Sequence, residues 1–260
     1  MLQVIDKGLV RERFSRTLHS YGSNAPVQNA MAVELARLIC REEPTCRFER
    51  VLEVGAGTGA LTAELLKRCR ISLYVANDLV GESLRYISRE IEPWQPEAFR
   101  FLEGDVETLT ELPDRLDLVL SNAALQWLSD LEGFFRRVSA LLKPGGLFAF
   151  TTFSARNMEE LSSIQKVGLA YPTALDIERF ASGSFTPLLI REDRKRLEFA
   201  SPEEVLRHLS RTGVNGISRH AWTKSSYERF LHRYRQEFSS GGKVYLTYNP
   251  LYCCFRKRLS

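Results

Sequence analysis

Two patterns of apolar positions alternate along the middle of this chain, one typical of buried strands and the other of amphipathic helices. After residue 59, Leu61, Leu65 and Leu66 recur on one face of a helix that opens at Ala60. Short apolar runs between such helical segments predict five buried strands, at residues 51–54, 71–77, 99–102, 116–120 and 147–153. Strands that alternate with helices at this spacing predict an α/β fold, an open doubly wound sheet with its ligand site at the carboxyl ends of the strands.

The chain on either side of this core predicts further elements of one single domain, 1–260. The expected parts are an N-terminal helical arm (1–47), the core (48–155), substrate-side helices or a helical insertion (156–242) and closing strands (243–260). Residues 170–198 hold Pro172, Gly183 and Pro187 and are predicted to be irregular, forming a lid or a small insertion.

Two later segments carry clearer local signals. Ser201, Pro202 and Glu204 predict a helix opened by a capping box with proline at its first position, and this helix is expected to stop at Gly213. Lys243–Tyr248 and residues 251–256 predict the closing strands.

The first predicted strand runs into three glycines, Gly55, Gly57 and Gly59, directly before the helix at Ala60. Glycine permits a sharp turn and lets a ligand approach the peptide plane where a Cβ would obstruct it. The free N–H groups at the start of a helix favour polar or anionic ligands. Because Gly55-x-Gly57-x-x-Ala60 also fits the dinucleotide fingerprint, the loop indicates a nucleotide-like ligand, with a glycine-rich turn without ligand as the alternative.

Polar residues follow the later strands at their carboxyl ends. The second strand ends at Asp78, where a carboxylate can accept both hydroxyls of a ribose. The further signals are Gly104-Asp105-Val106, Ser121-Asn122, Gln126-Trp127 and Lys143-Pro144-Gly145-Gly146. In this order they resemble the class I S-adenosylmethionine-dependent methyltransferases, whereas a nicotinamide-dependent enzyme would leave the Gly-Asp, Ser-Asn and Lys-Pro-Gly-Gly elements unexplained.

That resemblance implies a mostly parallel, seven-stranded Rossmann-like sheet and S-adenosylmethionine as the cofactor, with no metal. It implies that the glycine loop holds the methionine part, Asp78 the ribose and Asp105 the adenine, and that Asn122, Gln126 and Trp127 lie near the departing methyl. The cofactor-binding residues that it implies are Tyr21, Gln28, Glu53, Gly55, Ala56, Gly57, Gly59, Asp78, Leu79, Gly104, Asp105, Val106 and Asn122.

Motifs outside the cofactor segments narrow the resemblance. They include Phe14 and Tyr21 in the arm, residues 209–215 and residues 246–250. With the core motifs they resemble the malonyl-acyl-carrier-protein O-methyltransferases of biotin synthesis over nearly the whole chain. The reaction that this implies is methyl transfer to the free carboxylate of a malonyl thioester, with the malonyl-loaded acyl carrier protein as partner.

The implied chemistry makes few demands on side chains. A carboxylate is already ionised at pH 7, so no general base is needed, and none of the four histidines lies beside a recognisable nucleophile. Catalysis is expected from in-line alignment of the reacting atoms and from drying of the carboxylate. Selection of an anionic substrate is expected from Arg179, Arg211 or Tyr248.

The composition of the chain narrows the classes of protein to which it can belong. There is no run of 18 apolar residues and no apolar segment of the signal-peptide kind, so neither a membrane partner nor export is expected. The five cysteines show no metal-ligand spacing and are expected to be reduced, which fits the cytoplasm.

The net charge of +4 is distributed unevenly along the chain. Residues 51–150 carry −5, residues 151–260 carry +7 and residues 1–50 carry +2. The basic parts either form ordinary solvated surface or steer an acidic partner. Nucleic acid is not expected as a partner, because no run of five or more basic residues occurs.

Two other functions fit the same residues. One is a methyltransferase of this fold that acts on a free small carboxylic acid or a quinone-like ring carbon. The other is a cofactor-binding scaffold protein without turnover, which the intact glycines and acids disfavour.

Overall fold

The structure, a computed structural model, describes residues 5–165, 169, 171–212 and 223–259. The strands within these ranges are β1 (Arg47–Val54), β2 (Arg70–Asp78), β3 (Ala98–Glu103), β4 (Leu116–Asn122), β5 (Leu142–Phe153), β6 (Phe185–Glu192), β7 (Lys195–Phe199), β8 (Ser239–Ser240), β9 (Lys243–Tyr248) and β10 (Pro250–Lys257). The α-helices there are α1 (Lys7–Asn24), α2 (Pro26–Glu42), α3 (Ala60–Leu66), α4 (Ser83–Ile91), α5 (Leu131–Leu141), α6 (Glu159–Gln165), α7 (Ala174–Ala181), α8 (Pro202–Arg211) and α9 (Lys224–Glu237).

Seven of these strands form one sheet in the order β3-β2-β1-β4-β5-β10-β6. The first five in this order are parallel, and Val51 of β1 lies beside Tyr74 of β2 on one side and Leu118 of β4 on the other. β10 runs antiparallel to both β5 and β6. The doubly wound, mostly parallel sheet predicted from the sequence is therefore confirmed, and its strand order reverses at β1 and β4, where such sheets bind ligands.

Helices cover both faces of this sheet, which explains why its central strands are apolar throughout. Neighbouring residues of β1 pack on opposite faces: Val51 lies in the cluster that contains α2 and α3, and Leu52 in the cluster that contains α5 and α7. On the second face the rings of Phe135 and Phe148 meet edge to face at 5.2 Å. The two helical layers hold the carboxyl ends of β1, β2 and β4 in fixed positions.

The expectation of an irregular segment at residues 170–198 was wrong. This part of the chain contains α7, β6 and β7. Pro187 suggested a break, but β6 is the edge strand of the large sheet, and Pro187 lies opposite Phe255 where the register shifts. Proline is tolerated at such an edge because it need not donate to a neighbouring strand.

The closing strands were only half correctly predicted. β10 is the antiparallel strand expected within the large sheet, whereas β9 belongs to a separate three-stranded sheet in the order β7-β9-β8. The Ser201 side chain makes no capping bond to α8, although Pro202 opens that helix as expected. The expected stop at Gly213 lies outside the described residues, as do residues 213–215 of the late motif.

The arm, predicted to be helical over residues 1–47, consists of α1 and α2, and Pro26 opens the second helix. Asp6 caps α1, because its Oδ1 accepts a hydrogen bond from Leu9 N at 2.9 Å. α1 packs against α2 and α8. No helix in the described ranges is both long and apolar enough to cross a membrane.

Candidate active site

A cleft of about 1020 Å³ opens at the carboxyl ends of β1, β2, β3 and β4, and α1 lies over it. All the cofactor-binding residues expected from the sequence, except Gly59, line it: Tyr21, Gln28, Glu53, Gly55, Ala56, Gly57, Asp78, Leu79, Gly104, Asp105, Val106 and Asn122. Twelve of the thirteen expected residues therefore lie in the wall of one cleft, together with other lining residues that the sequence did not single out.

Gly59 is the exception, and the reason is steric. Its φ of +86° is the left-handed conformation that favours glycine, and a Cβ there would lie 3.0 Å from the Cα of Ile87 in α4. Gly59 therefore permits the close approach of α3 and α4 rather than that of a ligand. Gly55 similarly leaves room for the chain at Ala124, since a Cβ would come within 2.3 Å of that residue's Cβ.

Asp78 is 9% exposed and holds the glycine loop in place. Its Oδ2 accepts a hydrogen bond from Gly57 N at 2.7 Å, and its Oδ1 accepts one from Val80 N at 2.8 Å. Burial raises the pKa of the carboxyl, and the backbone N–H groups oppose that shift. Because each carboxylate oxygen has a second lone pair, both can still accept a hydroxyl from a ligand in the cleft.

Glu53 lies deeper in the cleft and is 1% exposed. The Tyr74 hydroxyl donates to its Oε2 at 2.6 Å, and the Thr62 hydroxyl donates to the same oxygen at 2.5 Å. Burial raises the pKa of Glu53 to about 7, and these two hydrogen bonds limit the shift. The cleft therefore contains an acid that takes up or releases a proton near neutral pH.

The end of β4 connects the cleft to α2. Thr151 donates its hydroxyl to Asn122 Oδ1 at 2.7 Å, and Asn122 Nδ2 donates to the Gln28 carbonyl at 3.0 Å. The next residue, Ala123, has a φ of 51°. A non-glycine residue in this conformation is strained, and such strain is concentrated at functional sites.

One face of α1 forms the cover of the cleft. Its side chains follow helical spacing and are Lys7, Val10, Phe14, Leu18 and Tyr21. Lys7 Nζ lies 3.2 Å from Asp105 Oδ1 and 2.6 Å from Glu107 Oε2, so this face is attached to the end of β3. Sequence analysis missed Lys7, Val10 and Leu18, although their spacing relative to Phe14 and Tyr21 was a usable signal.

A second, much smaller chamber adjoins the cleft. Its walls include Phe14, Tyr21, Gln28, Ala123 and Trp127, which also line the cleft. The other lining residues are Gln126, Phe153, Met158, Tyr171 and Thr212. None of these described lining residues carries a full charge, so the chamber is an uncharged extension of the cleft.

Two side chains of the chamber offer hydrogen-bond donors. The indole Nε1 of Trp127 is buried and has no partner among the described residues. Burial raises the pKa of Tyr171 to about 12, so its hydroxyl keeps its proton at neutral pH. Gln126 is already occupied, since its Nε2 donates to the Ala123 carbonyl at 2.6 Å and its Oε1 accepts from Thr152 at 3.3 Å.

The three residues expected to select the anionic substrate line neither cavity. Arg179 is exposed on α7 and pairs with Asp176 at 3.2 Å, one turn away on its own helix. Arg211 is exposed at the end of α8. Tyr248 is 0% exposed, and its hydroxyl hydrogen-bonds His208 Nε2 at 2.8 Å. Residue type and motif, on which this expectation rests, carry no information about the direction of a side chain.

Comparison with known proteins agrees with the fold. Residues 52–150 match the family model described as a methyltransferase domain. A putative methyltransferase from Bacillus halodurans has the same fold, with a TM-score of 0.63 at 17% identity over 86% of this chain and 98% of its own. The N-methyltransferase NodS from Bradyrhizobium japonicum, solved with S-adenosylhomocysteine, gives 0.57 at 14% identity over 95% of this chain and 98% of its own.

Much closer relatives cover the whole chain. The malonyl-[acyl-carrier protein] O-methyltransferase of Chlorobium luteolum is 49% identical over 99% of this chain and 98% of its own length. The protein of the same name from Bacteroides thetaiotaomicron is 36% identical over 98% of this chain and 99% of its own. At these identities over full length, the chain belongs to the malonyl-[acyl-carrier protein] O-methyltransferase family.

Proposed function

We propose that this protein transfers a methyl group from S-adenosylmethionine to the free carboxylate of a malonyl thioester carried by acyl carrier protein, in biotin synthesis. The observation that carries the proposal is the uncharged chamber beside the cleft, with the unpaired Trp127 Nε1 in its wall. Family membership supplies the substrate class, since the full-length relatives are named for malonyl-[acyl-carrier protein].

The cleft fits S-adenosylmethionine, which supplies an electrophilic methyl on a positively charged sulfur. Three acids line the cleft, Glu53, Asp78 and Asp105, and favour a cationic ligand. The buried Oε1 of Gln28 has no hydrogen-bond partner among the described residues, which indicates that a bound ligand would supply the donor. A Cβ at Gly57 would meet nothing within 4 Å, so the backbone there is accessible to a ligand. Asp78 would accept the ribose hydroxyls, and Asp105 lies at the adenine end.

The chamber suits a carboxylate acceptor for a physical reason. A malonyl carboxylate is ionised at pH 7 and is the nucleophile without loss of a proton. An arginine beside it would stabilise the ground state by a strong charge-assisted pair. Neutral donors, the Trp127 indole and the Tyr171 hydroxyl, would orient the carboxylate while leaving it reactive, and the apolar walls would exclude water.

The carrier protein would approach where the two basic parts of the chain meet. α1 packs against α8, so the arm and the late basic segment lie side by side. Arg207 and Arg211 are exposed on α8, and Arg11 and Arg16 belong to α1. Thr212, at the end of α8, lines the chamber. A thioester arm that enters beside α8 would therefore reach the acceptor position directly.

The acceptor specificity tests this proposal. Steady-state methyl transfer would be compared for malonyl-loaded carrier protein, malonyl-CoA and free malonate. We expect the highest kcat/KM with the carrier protein and the lowest with free malonate, which lacks the arm. A preference for free malonate or for a ring carbon acceptor would favour the alternative methyltransferase, and absence of all turnover would favour a scaffold protein.

Trp127→Phe provides a matched variant for this assay. The change keeps an aromatic ring in the wall and removes the indole N–H. A neutral hydrogen bond contributes about 0.5–1.5 kcal/mol net, so kcat/KM for the malonyl acceptor should fall about 2- to 10-fold. Affinity for S-adenosylmethionine should stay the same. Unchanged kinetics would remove Trp127 from the acceptor site.

A further inference from the structure

Three cysteine side chains from separate segments meet at the edge of the sheet opposite the cleft. Cys46 directly precedes β1 and Cys69 directly precedes β2. β1 and β2 are parallel neighbours in which Arg47 pairs with Arg70, so the two cysteines before these residues lie side by side. Cys40, in the last turn of α2, completes the group. Sequence spacing could not show this cluster, because its members are brought together by strand pairing.

The distances between the sulfurs match metal ligation better than a disulfide. The three Sγ atoms all lie within 4.8 Å of one another, and Cys40 Sγ lies 3.6 Å from Cys69 Sγ. A disulfide has an S–S length of about 2.05 Å. Tetrahedral zinc with Zn–S bonds of about 2.3 Å separates its sulfur ligands by roughly 3.8 Å. A single ion among the three sulfurs therefore needs only small shifts.

The cluster is also accessible to a cation, which would offset the repulsion between neighbouring thiolates as the thiols lose their protons to solvent. Cys40 and Cys46 are only partly buried, so an ion can enter from solvent.

We propose that Cys40, Cys46 and Cys69 bind one thiophilic divalent cation of the zinc class, with a solvent molecule in the fourth position. The ion would join the end of α2 to the starts of β1 and β2. Three protein ligands and an open position occur in catalytic zinc sites. Here, however, the cluster lies across the sheet from the methyl-transfer cleft, and the ion would act as a structural link.

Titration of the reduced, metal-free protein with Co²⁺ tests the proposal, since thiolate ligation gives characteristic charge-transfer and d–d absorption. We expect saturation at one equivalent and loss of the signal when Zn²⁺ is added. Cys40→Ser, Cys46→Ser and Cys69→Ser should each weaken binding by more than about 100-fold, because even loss of an outer partner costs 10–100-fold. Cys46→His, which keeps a ligand atom, should retain most of the affinity.

Cys253→Ala is the matched control, because Cys253 packs on the other face of the sheet. It should bind Co²⁺ like the wild type. Binding of S-adenosylmethionine by all variants would show that they are folded. The proposal is overturned if the wild type gives no thiolate spectrum, if the serine variants give the same spectrum, or if freshly purified protein contains a Cys40–Cys69 disulfide and binds no metal.

Discussion

At the scale of single residues, the cleft uses buried acids whose ionisation depends on their surroundings. Asp78 accepts one backbone N–H group on each carboxylate oxygen, whereas Glu53 is more deeply buried and accepts two hydroxyls on a single oxygen. The two carboxyls should therefore respond differently to pH, although both belong to buried strands: Glu53 lies within β1 and Asp78 ends β2. Their roles can be separated by one binding measurement and one stability measurement.

Asp78→Ala should weaken S-adenosylmethionine binding by about 2–3 kcal/mol, since one charge-assisted hydrogen bond contributes about 1.5–3 kcal/mol and two bonds to the same carboxylate are not additive. Isothermal calorimetry measures the change. Asp78→Asn is a useful partner variant, because it keeps an acceptor for Gly57 N or Val80 N and separates support of the loop from ribose binding. Unchanged affinity in both variants would place Asp78 outside the binding site.

Glu53 should make stability depend on pH in a defined window. Its pKa is about 7 in the native state and 4.5 in the unfolded reference, so its stabilising contribution is complete below pH 4.5 and is lost as pH rises to 7. Relative to Glu53→Gln, the free energy of unfolding of the wild type should fall by about 3 kcal/mol over that window. Denaturant titrations at several pH values measure this, and parallel curves for the two proteins would contradict it.

At the scale of elements, α1 is a cover attached at one end. Lys7 pairs with Asp105 and Glu107, and Arg11 lies 2.5 Å from Glu103, so the start of the helix is fixed to β3 and the segment after it. Farther along, the rings of Phe14 and Trp127 meet edge to face at 5.7 Å. The cover thus contacts both the cofactor end and the acceptor end of the cleft.

Deletion of residues 1–25 should abolish methyl transfer while the sheet still folds. The deletion removes one wall of both cavities but leaves the strands and α2 to α9 intact, and site closure of this kind excludes water from the reaction. Turnover measures the loss, and circular dichroism checks folding. Full activity in the folded, truncated protein would refute the role of the cover.

Elements that carry local signals were predictable from the sequence, and those defined by distant partners were not. The glycine loop and Asp78 follow directly from an apolar run and a strand end. Pro187 misled because an edge strand cannot be recognised without its neighbours. The sequence named Gln126 and Trp127 near the methyl but did not predict the chamber as a cavity, since Phe14, Trp127 and Tyr171 are far apart in the chain and are assembled only by folding.

At the scale of the whole molecule, the uneven distribution of charge along the chain can be compared with the positions of the charged residues in the fold. α1 and α8 are in contact, so exposed arginines of the arm and of the later segment, such as Arg16 and Arg207, lie on neighbouring helices. Arg219, another arginine of the later segment, lies outside the described residues. Three acidic residues of the core, Glu53, Asp78 and Asp105, line the cleft instead.

This arrangement should make the carrier reaction sensitive to salt. Charges on the surface raise encounter rates and are screened over about 8–10 Å at physiological ionic strength. We expect kcat/KM for malonyl-loaded carrier protein to fall steeply between low and high salt, and that for malonyl-CoA to change less. Exchange of Arg207 and Arg211 for Glu should reproduce the high-salt value at low salt.

Exchange of Arg100 and Arg136 for Glu is the matched control, because it changes the net charge equally on exposed residues of β3 and α5. This control should leave the salt dependence intact. Equal losses in both double variants would show that overall charge, rather than a docking surface at α1 and α8, steers the carrier protein.

The most direct test of carboxyl methylation is the fate of an isotope-labelled methyl group. Malonyl-loaded and acetyl-loaded carrier protein would each be incubated with labelled S-adenosylmethionine and the protein, followed by mild alkali. Because only malonyl offers a free carboxylate, the label should appear on the malonyl-loaded carrier alone and should be released by alkali as methanol. Label on the acetyl-loaded carrier, or label that resists alkali, would contradict methyl ester formation in this cleft.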